Sequence, residues 1–235
     1  MKNVLRNALL VAASFAASPA LATDFSAVTS FTGMNGYGNF YYGSTDGSIA
    51  GSTLFDTTGG CVFGPGSTCM HSATANLPQA STGGSYPTVS IPGDAIVLHP
   101  GNSSSLSVFS AFVAPVAQTY QYTIDLKSVG IDTTNGIGYT FFVDDKGALT
   151  FGNRATLTTY GAATTITGTG AFAQGDVFGV IIDDNGVYYG DSTALKFDVS
   201  AVPEPETWAM MLLGFGMVGF GLRRRSKQAV RVSFG

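Results

Sequence analysis

An all-β fold, a β-sandwich or jelly roll, is what the middle of this sequence predicts, and three observations predict it. Tyr120, Tyr122, Ile124 and Leu126 alternate with Gln121, Thr123, Asp125 and Lys127, and Leu195, Phe197 and Val199 alternate with Lys196, Asp198 and Ser200. A period of two gives each strand one wet face and one buried face. Turn signals separate such runs at Ala114-Pro115, Asn135-Gly136, Asp144-Asp145-Lys146-Gly147, residues 168–170, Gly175-Asp176 and Asp184-Asn185-Gly186. No helical period shows between the two ends of the chain. Short strands at that spacing bury one face each only when two sheets pack together.

At the start, Lys2 and Arg6 precede an apolar stretch at 8–17 and then Ser18-Pro19-Ala20-Leu21-Ala22. Small residues at those positions predict a signal peptide over 1–22, cleaved after Ala22. The exported body is then 23–201. Its first part, 23–95, is rich in Gly, Ser and Thr and weakly patterned, which predicts one or two strands and long loops, including the run 77–92. Its second part, 96–201, carries the strong patterning. There Phe141-Phe142-Val143 and 177–182 are continuously apolar, as central strands covered on both sides require.

Cys61 and Cys69 are the only cysteines, with Gly64, Pro65 and Gly66 between them. In an oxidising compartment they predict a local disulfide, which stabilises by about 2–3 kcal/mol through chain entropy. A metal reading would recruit His71, yet no fourth ligand stands nearby.

The C-terminal segment has three parts. Pro203, Glu204 and Pro205 remove two backbone donors and hold Val202 and Glu204 extended, so the joint resists absorption into helix or sheet. Residues 208–222 then run without a charged or polar side chain apart from the Trp208 indole, a helix of roughly 22 Å. Trp208 suits one membrane interface, and Arg223, Arg224, Arg225 and Lys227 suit the cytoplasmic side of the other. The expectation is a transmembrane helix within 202–225 and a cytoplasmic tail at 226–235. The competing assignment is a buried helix of a soluble domain. Gly214, Gly216, Gly219 and Gly221 speak against it, since each weakens a water-exposed helix by about 1 kcal/mol relative to Ala.

Pro203-Glu204-Pro205, then Thr207-Trp208, a Gly-rich apolar run and an arginine cluster together resemble the PEP-CTERM sorting signal of Gram-negative bacteria. The resemblance implies transient recognition by an exosortase, a membrane transpeptidase that cleaves near Pro203-Glu204-Pro205 and passes the body to the cell surface or outside. Before processing, the chain would be anchored in the inner membrane with its body facing the periplasm. Leu98-His99-Pro100-Gly101, Ala114-Pro115, Thr119-Tyr120 and the stretch Tyr188-Tyr189-Gly190-Asp191-Ser192-Thr193 resemble the jelly-roll body of many such exported proteins, similar in layout to carbohydrate-binding modules.

Between 24 and 201 there are thirteen Asp, no Glu and four cations, a net charge of −9 with His neutral. An acidic body repels phosphate backbones, so nucleic acid is excluded as a partner, while divalent cations and neutral polysaccharide stay open. A glycosidase of the common kind needs two carboxylates, often Glu, and the body has none. His71 and His99 lie outside any nucleophile signature. The sequence therefore predicts a protein that is not an enzyme, uses no cofactor, and works by binding or assembly in an exopolysaccharide or biofilm matrix. The alternative is a secreted hydrolase acting on polysaccharide through an Asp pair drawn from Asp125, Asp144, Asp183 and Asp191. Calcium would find oxygen ligands at Asp183, Asp184, Asn185 and Asp191, although the same residues read as turn residues. For sugar stacking, Tyr41, Tyr42, Tyr188 and Tyr189 stand beside glycines, with Tyr37 and Tyr86 in similar settings. A third reading, a surface-adsorbing threonine ladder built from Thr156, Thr158 and residues 164–169, requires those side chains on one flat face.

Overall fold

The computed structural model describes residues 24–46, 51–84, 86–89, 91–101, 106–131, 135–145, 147–203 and 205–225. The expected signal peptide, Lys146, Glu204 and the tail 226–235 lie outside them, as do the side chains of Trp208, Arg224 and Arg225. The chain divides into two compact units, one of which is 23–201.

This unit is a β-sandwich of two antiparallel sheets. In order come β1 (Asp24–Ser26), the one-turn helix α1 (Ala27–Ser30), a 3-10 turn (Tyr37–Asn39), β2 (Phe40–Thr45), β3 (Thr53–Leu54), β4 (Thr57–Thr58), β5 (Ser67–Ser72), β6 (Ala75–Gly83) and β7 (Ile96–His99). The second part supplies β8 (Ser107–Val113), β9 (Gln118–Ser128), β10 (Ile137–Asp145), β11 (Ala148–Phe151), β12 (Ala155–Leu157), β13 (Ala163–Phe172), β14 (Val177–Asp183) and β15 (Thr193–Ala201). Sheet 1 runs β13-β9-β15-β7-β6-β5-β4 with β1 also on β15, and sheet 2 runs β11-β10-β14-β8-β2-β3 with β12 also on β10. Along the chain β7, β8, β9 and β10 alternate between the sheets, as do β13, β14 and β15. Each crossing turns the chain from one layer to the other, and the two layers close on one core.

Alternation along β9 and β15 sends Tyr120, Ile124, Leu126, Leu195, Phe197 and Val199 inward, where all are buried. They meet Phe40, Phe112, Phe178, Val180 and Ile182 from sheet 2. The continuously apolar β14 has the predicted two-sided cover. Phe178, Val180 and Ile182 face the core, while Ile181 and Val177 face outward into a second cluster with Phe109, Ala111 and Phe142.

Two expectations are corrected. The region 23–95 holds six strands rather than one or two, because β5 and β6 are mostly small and polar residues paired on both sides and the glycine in β2 breaks its pattern. In β6, Gln79 and Ser81 are fully buried between β5 and β7. Pro78 is tolerated there because the pairing slips between His71 and Ser72, which leaves it beside a bulge with no ladder bond to donate. Residues 168–170, read as a turn, lie inside β13 and pair with Tyr122, Gln121 and Tyr120. A side chain at Gly168 would strike the Tyr122 ring, the Cβ falling 2.3 Å from its hydroxyl, so this glycine answers to packing rather than to a turn.

The C-terminal segment forms a helix, α2 (Pro205–Arg225), of 21 residues. Leu212, Phe215, Met217 and Phe220 on it are 67% to 70% exposed. Here the sequence expectation meets a limit: among the described residues no helix is long and apolar enough to cross a membrane. The physical reason lies in its ends, where Glu206 and three arginines confine the apolar run to 208–222, short of the ~20 residues that a ~30 Å hydrocarbon core needs.

Candidate functional site

Three chain segments meet beyond the end of β7 to form an open groove of about 470 Å³. The β4–β5 connection brings Val62 and Phe63, the β6–β7 connection brings Tyr86, Pro87, Thr88 and Val89, and the β14–β15 connection brings Tyr188, Tyr189 and Gly190. Leu77 and His99 complete the wall.

Each segment is held in a way the local sequence explains. The predicted Cys61–Cys69 disulfide is formed and closes the β4–β5 connection, with Phe63 packed beneath it at 1% exposure. Phe63 then anchors the Tyr86 ring edge-on at 6.0 Å and the His99 ring at 6.3 Å. The tyrosine turn is fixed by a close backbone approach. Gly130 lies against Gly190 so tightly that a Cβ there would sit 1.6 Å from the Gly190 carbonyl oxygen, and Val129 N–H donates to the Ser192 carbonyl at 2.9 Å. Gly130 also bridges to Val89, and Ile131 N–H donates to the Thr88 carbonyl at 2.7 Å, so both rims of the groove hang on residues 129–131.

The outcome is a pair of stacked rings, Tyr188 and Tyr189, with centroids 4.5 Å apart and planes 27° apart. Tyr189 is 66% exposed and Tyr86 41%. Tyr189 beside it raises the Tyr188 phenol above its ordinary value. His99 is a polar residue of the groove wall, and Gln79 lies behind it outside the lining. His99 is buried, its Nδ1–H donates to the Pro100 carbonyl at 2.7 Å, and its Nε2 is thereby left an acceptor. Gln79, the register partner of His99, accepts from Val62 N–H at 3.2 Å through Oε1, and its fully buried Nε2 has no partner among the described residues. Aromatic faces beside a few fixed polar atoms are the composition of a small-ligand site.

Burial lowers the His99 pKa from its ordinary 6.5, against the Pro100 carbonyl, which raises it. The fold thus favours neutral imidazole, whereas the unfolded chain takes a proton below pH 6.5. Stability from this residue is complete above that pH and is lost as the pH falls. Between pH 6.5 and 5 the loss has a ceiling of about 2 kcal/mol. Urea midpoints at pH 7.5 and 5 should show the drop in the native chain and a flattened response in His99→Asn. An unchanged pH slope in the variant would refute the assignment.

Of the other predicted residues, Tyr42 is corrected. It is 1% exposed on β2, stacked edge-on against Phe31 at 5.1 Å, and burial raises its phenol, offset in part by Ser110. Gly43 beside it looked like a loop marker. In fact a Cβ there would fall 2.6 Å from the Phe109 ring, so this is a strand glycine that makes room for an aromatic neighbour. Tyr41 borders a different, apolar cleft of about 250 Å³ on the outer face of sheet 2, with Leu54, Phe109, Phe142 and Ile181. Tyr37 is 57% exposed on the 3-10 turn.

The aspartates lie on separate elements. Asp183 binds the Arg154 guanidinium through both oxygens at 2.8 and 2.5 Å and also accepts from Asn185 N–H. Asp184 accepts from Gly186 N–H, and Asn185 is in the left-handed region at φ 45°. Asp191 is fully buried. Asp144 caps Gly147 N–H in the β10–β11 turn, and Asp125 on β9 accepts from Thr165 at 2.6 Å. Both ring nitrogens of His71 face backbone carbonyls, Nε2 at 2.6 Å from Gly59 O. Among the described residues no group of three or more His, Cys, Asp or Glu is placed to hold a metal ion. One carboxylate pair escaped the sequence reading: Asp24 and Asp198 line a polar groove of about 520 Å³ on the outer face of sheet 1. Only the pairing of β1 with β15 brings them together, and no local signal announces it. The threonines divide: Thr165, Thr167 and Thr169 are exposed on β13, whereas Thr156 sits on β12 of the other sheet.

At the C-terminal end, residues 201–225 match the family of the PEP-CTERM protein-sorting motif. This segment is a PEP-CTERM sorting motif. Export and sorting to the cell surface follow from the PEP-CTERM assignment, as does processing by an exosortase. No curated protein matches the sequence. Among solved structures, the xylan-binding CBM22-1 domain of Paenibacillus barcinonensis Xyn10C is 11% identical with a TM-score of 0.36, over 69% of this chain and 94% of that one. The N-terminal cellulose-binding domain of Cellulomonas fimi β-1,4-glucanase C is 11% identical with a TM-score of 0.30, over 74% and 95%. For the CBM22-1–GH10 modules of Clostridium thermocellum Xyn10B the values are 10% and 0.32, and the match covers 47% of this chain and 22% of that one. Scores of this size decide nothing about ligand or activity.

Proposed function

We propose that this PEP-CTERM protein is a non-catalytic surface component that holds neutral polysaccharide of an exopolysaccharide or biofilm matrix in the groove of Tyr86, Tyr188 and Tyr189. The observation that carries the reading is the stacked pair of Tyr188 and the exposed Tyr189 on a turn fixed by Gly130, with His99 in the wall of the same groove. Pyranose rings present C–H faces that lie on such rings while their hydroxyls meet the polar atoms. The net charge of −9 on the body favours a neutral polymer over an anionic one. Before processing, α2 holds the chain at the inner membrane with the body in the periplasm, its arginines drawn to the cytoplasmic headgroups and the short apolar run met by local thinning. No cofactor enters this reading.

A glycan array probed with the full chain in detergent, with and without calcium, tests it. Binding to a neutral polysaccharide is expected without calcium, and Tyr189→Ala or Tyr188→Ala should each weaken it about tenfold, the size of one interface anchor. No reducing ends should accumulate in the bound polymer. Binding that neither substitution alters would displace the site, and growth of reducing ends abolished by Asp198→Asn would replace the reading with a hydrolase.

A further inference from the structure

Among the described residues the other margins of both sheets are blunted by short strands: two residues each in β3 and β4, three each in β1 and β12, and four in β11. The long margin is β13, ten residues, which pairs with β9 in unbroken register and with no other strand among the described residues. Every second residue of it turns N–H and C=O away from β9. Open edges are normally guarded by charge, proline or a bulge. Within Ala163–Phe172 there is none of the three.

The side chains of this edge have a symmetry of their own. Those that alternate outward are Ala163, Thr165, Thr167, Thr169 and Ala171, a series that reads the same in both directions. The inward series is Thr164, Ile166, Gly168, Gly170 and the core residue Phe172. Laid antiparallel on a second copy about a two-fold axis through Thr167, Thr165 faces Thr169, Ala163 faces Ala171, and Thr167 faces itself. On the other face Ile166 meets Gly168 and Thr164 meets Gly170, so these two larger side chains each oppose a glycine, while Phe172 falls opposite Ala162 beyond the strand. None of these side chains is charged, so the edge is a neutral strip on a body that is otherwise strongly acidic, and Thr165 donates to Asp125 on β9.

We propose that β13 is a self-pairing edge through which two copies of this chain join into one continuous sheet, in the register centred on Thr167. A two-fold contact of this kind is isologous and closes at a dimer. Threonine opposite threonine is among the favourable cross-strand pairs. The inference does not depend on sugar binding, and the tyrosine groove is built from other elements.

Single cysteines test the register directly, since Cys61 and Cys69 are bonded to each other and no free cysteine competes. The full chain in detergent, under mild oxidation, is expected to yield covalent dimer from Thr167→Cys, about tenfold more than from Thr123→Cys one strand inward, because the paired thiols are held at high effective concentration. Thr165→Cys and Thr169→Cys should cross-link only when mixed. Thr167→Lys should sediment as a monomer where the native chain sediments as a dimer. Dimer from Thr165→Cys alone equal to that from Thr167→Cys, or a native chain that stays monomeric, would overturn the proposal, the second outcome leaving the edge to a different partner.

Discussion

Phe112→Ala is expected to destabilise the body by about 3–5 kcal/mol, a large share of the roughly 5–15 kcal/mol that holds a domain folded. Phe112 is fully buried and its ring touches four others, Phe25 at 5.0 Å, Phe40 and Phe178 at 5.3 Å and Tyr120 at 5.6 Å. Phe25 and Tyr120 belong to sheet 1, Phe40 and Phe178 to sheet 2. The substitution therefore opens a void at the joint between layers, where neither sheet can collapse without breaking its own ladder. Urea unfolding followed by circular dichroism should show the midpoint falling, with Tm lower by about 10 °C. Tyr189→Ala supplies the contrast, since its exposed ring should cost under about 0.5 kcal/mol. A loss below 1 kcal/mol for Phe112→Ala would mean that the sandwich is not organised around this cluster.

Deleting 202–225 should abolish surface display altogether. The PEP-CTERM motif carries the sorting information, and the deletion begins directly after Ala201, the last residue of β15, so every strand of the body is kept. Fractionation of cells expressing the truncated chain should move it from the surface to periplasm or medium, while its circular dichroism and urea midpoint match those of the intact body. A milder variant, Arg223, Arg224 and Arg225 each changed to Gln, separates the charge from the apolar run. Surface display that survives the full deletion would remove the basis for the assignment.

Legibility in the sequence followed the number of wet faces a strand has. β9 and β15 were readable because one face meets water and the other the core, so Tyr120, Ile124, Leu126, Leu195, Phe197 and Val199 stood out by alternation. β14 was readable as a continuous run because its outer face is buried as well, under Phe109 and Phe142. β6 was not, since Gln79, Ala80 and Ser81 are small or polar and are buried only because neighbours pair on both sides. Tyr42 was misplaced for the same reason that Gly168 was: glycine is read locally as a turn, whereas at 43 and 168 it clears space for Phe109 and Tyr122. In the groove, Tyr188 and Tyr189 could be found from their loop-like setting. Their convergence with Tyr86 and Phe63 could not, because it depends on a disulfide loop and on the contact of Gly130 with Gly190 sixty residues later.

The pairing of the first strand with the last has a kinetic side. Asp24 lies opposite Ser200 and Ser26 opposite Asp198, so the chain's most distant sequence partners are neighbours in space. Non-local pairing of this kind slows folding, and this pairing cannot form until the final strand is available. In an exported polypeptide built this way sheet 1 stays incomplete for nearly the whole length of the chain, because β9, β7 and β1 all pair with β15. It locks shut only when the residues adjoining the sorting motif emerge.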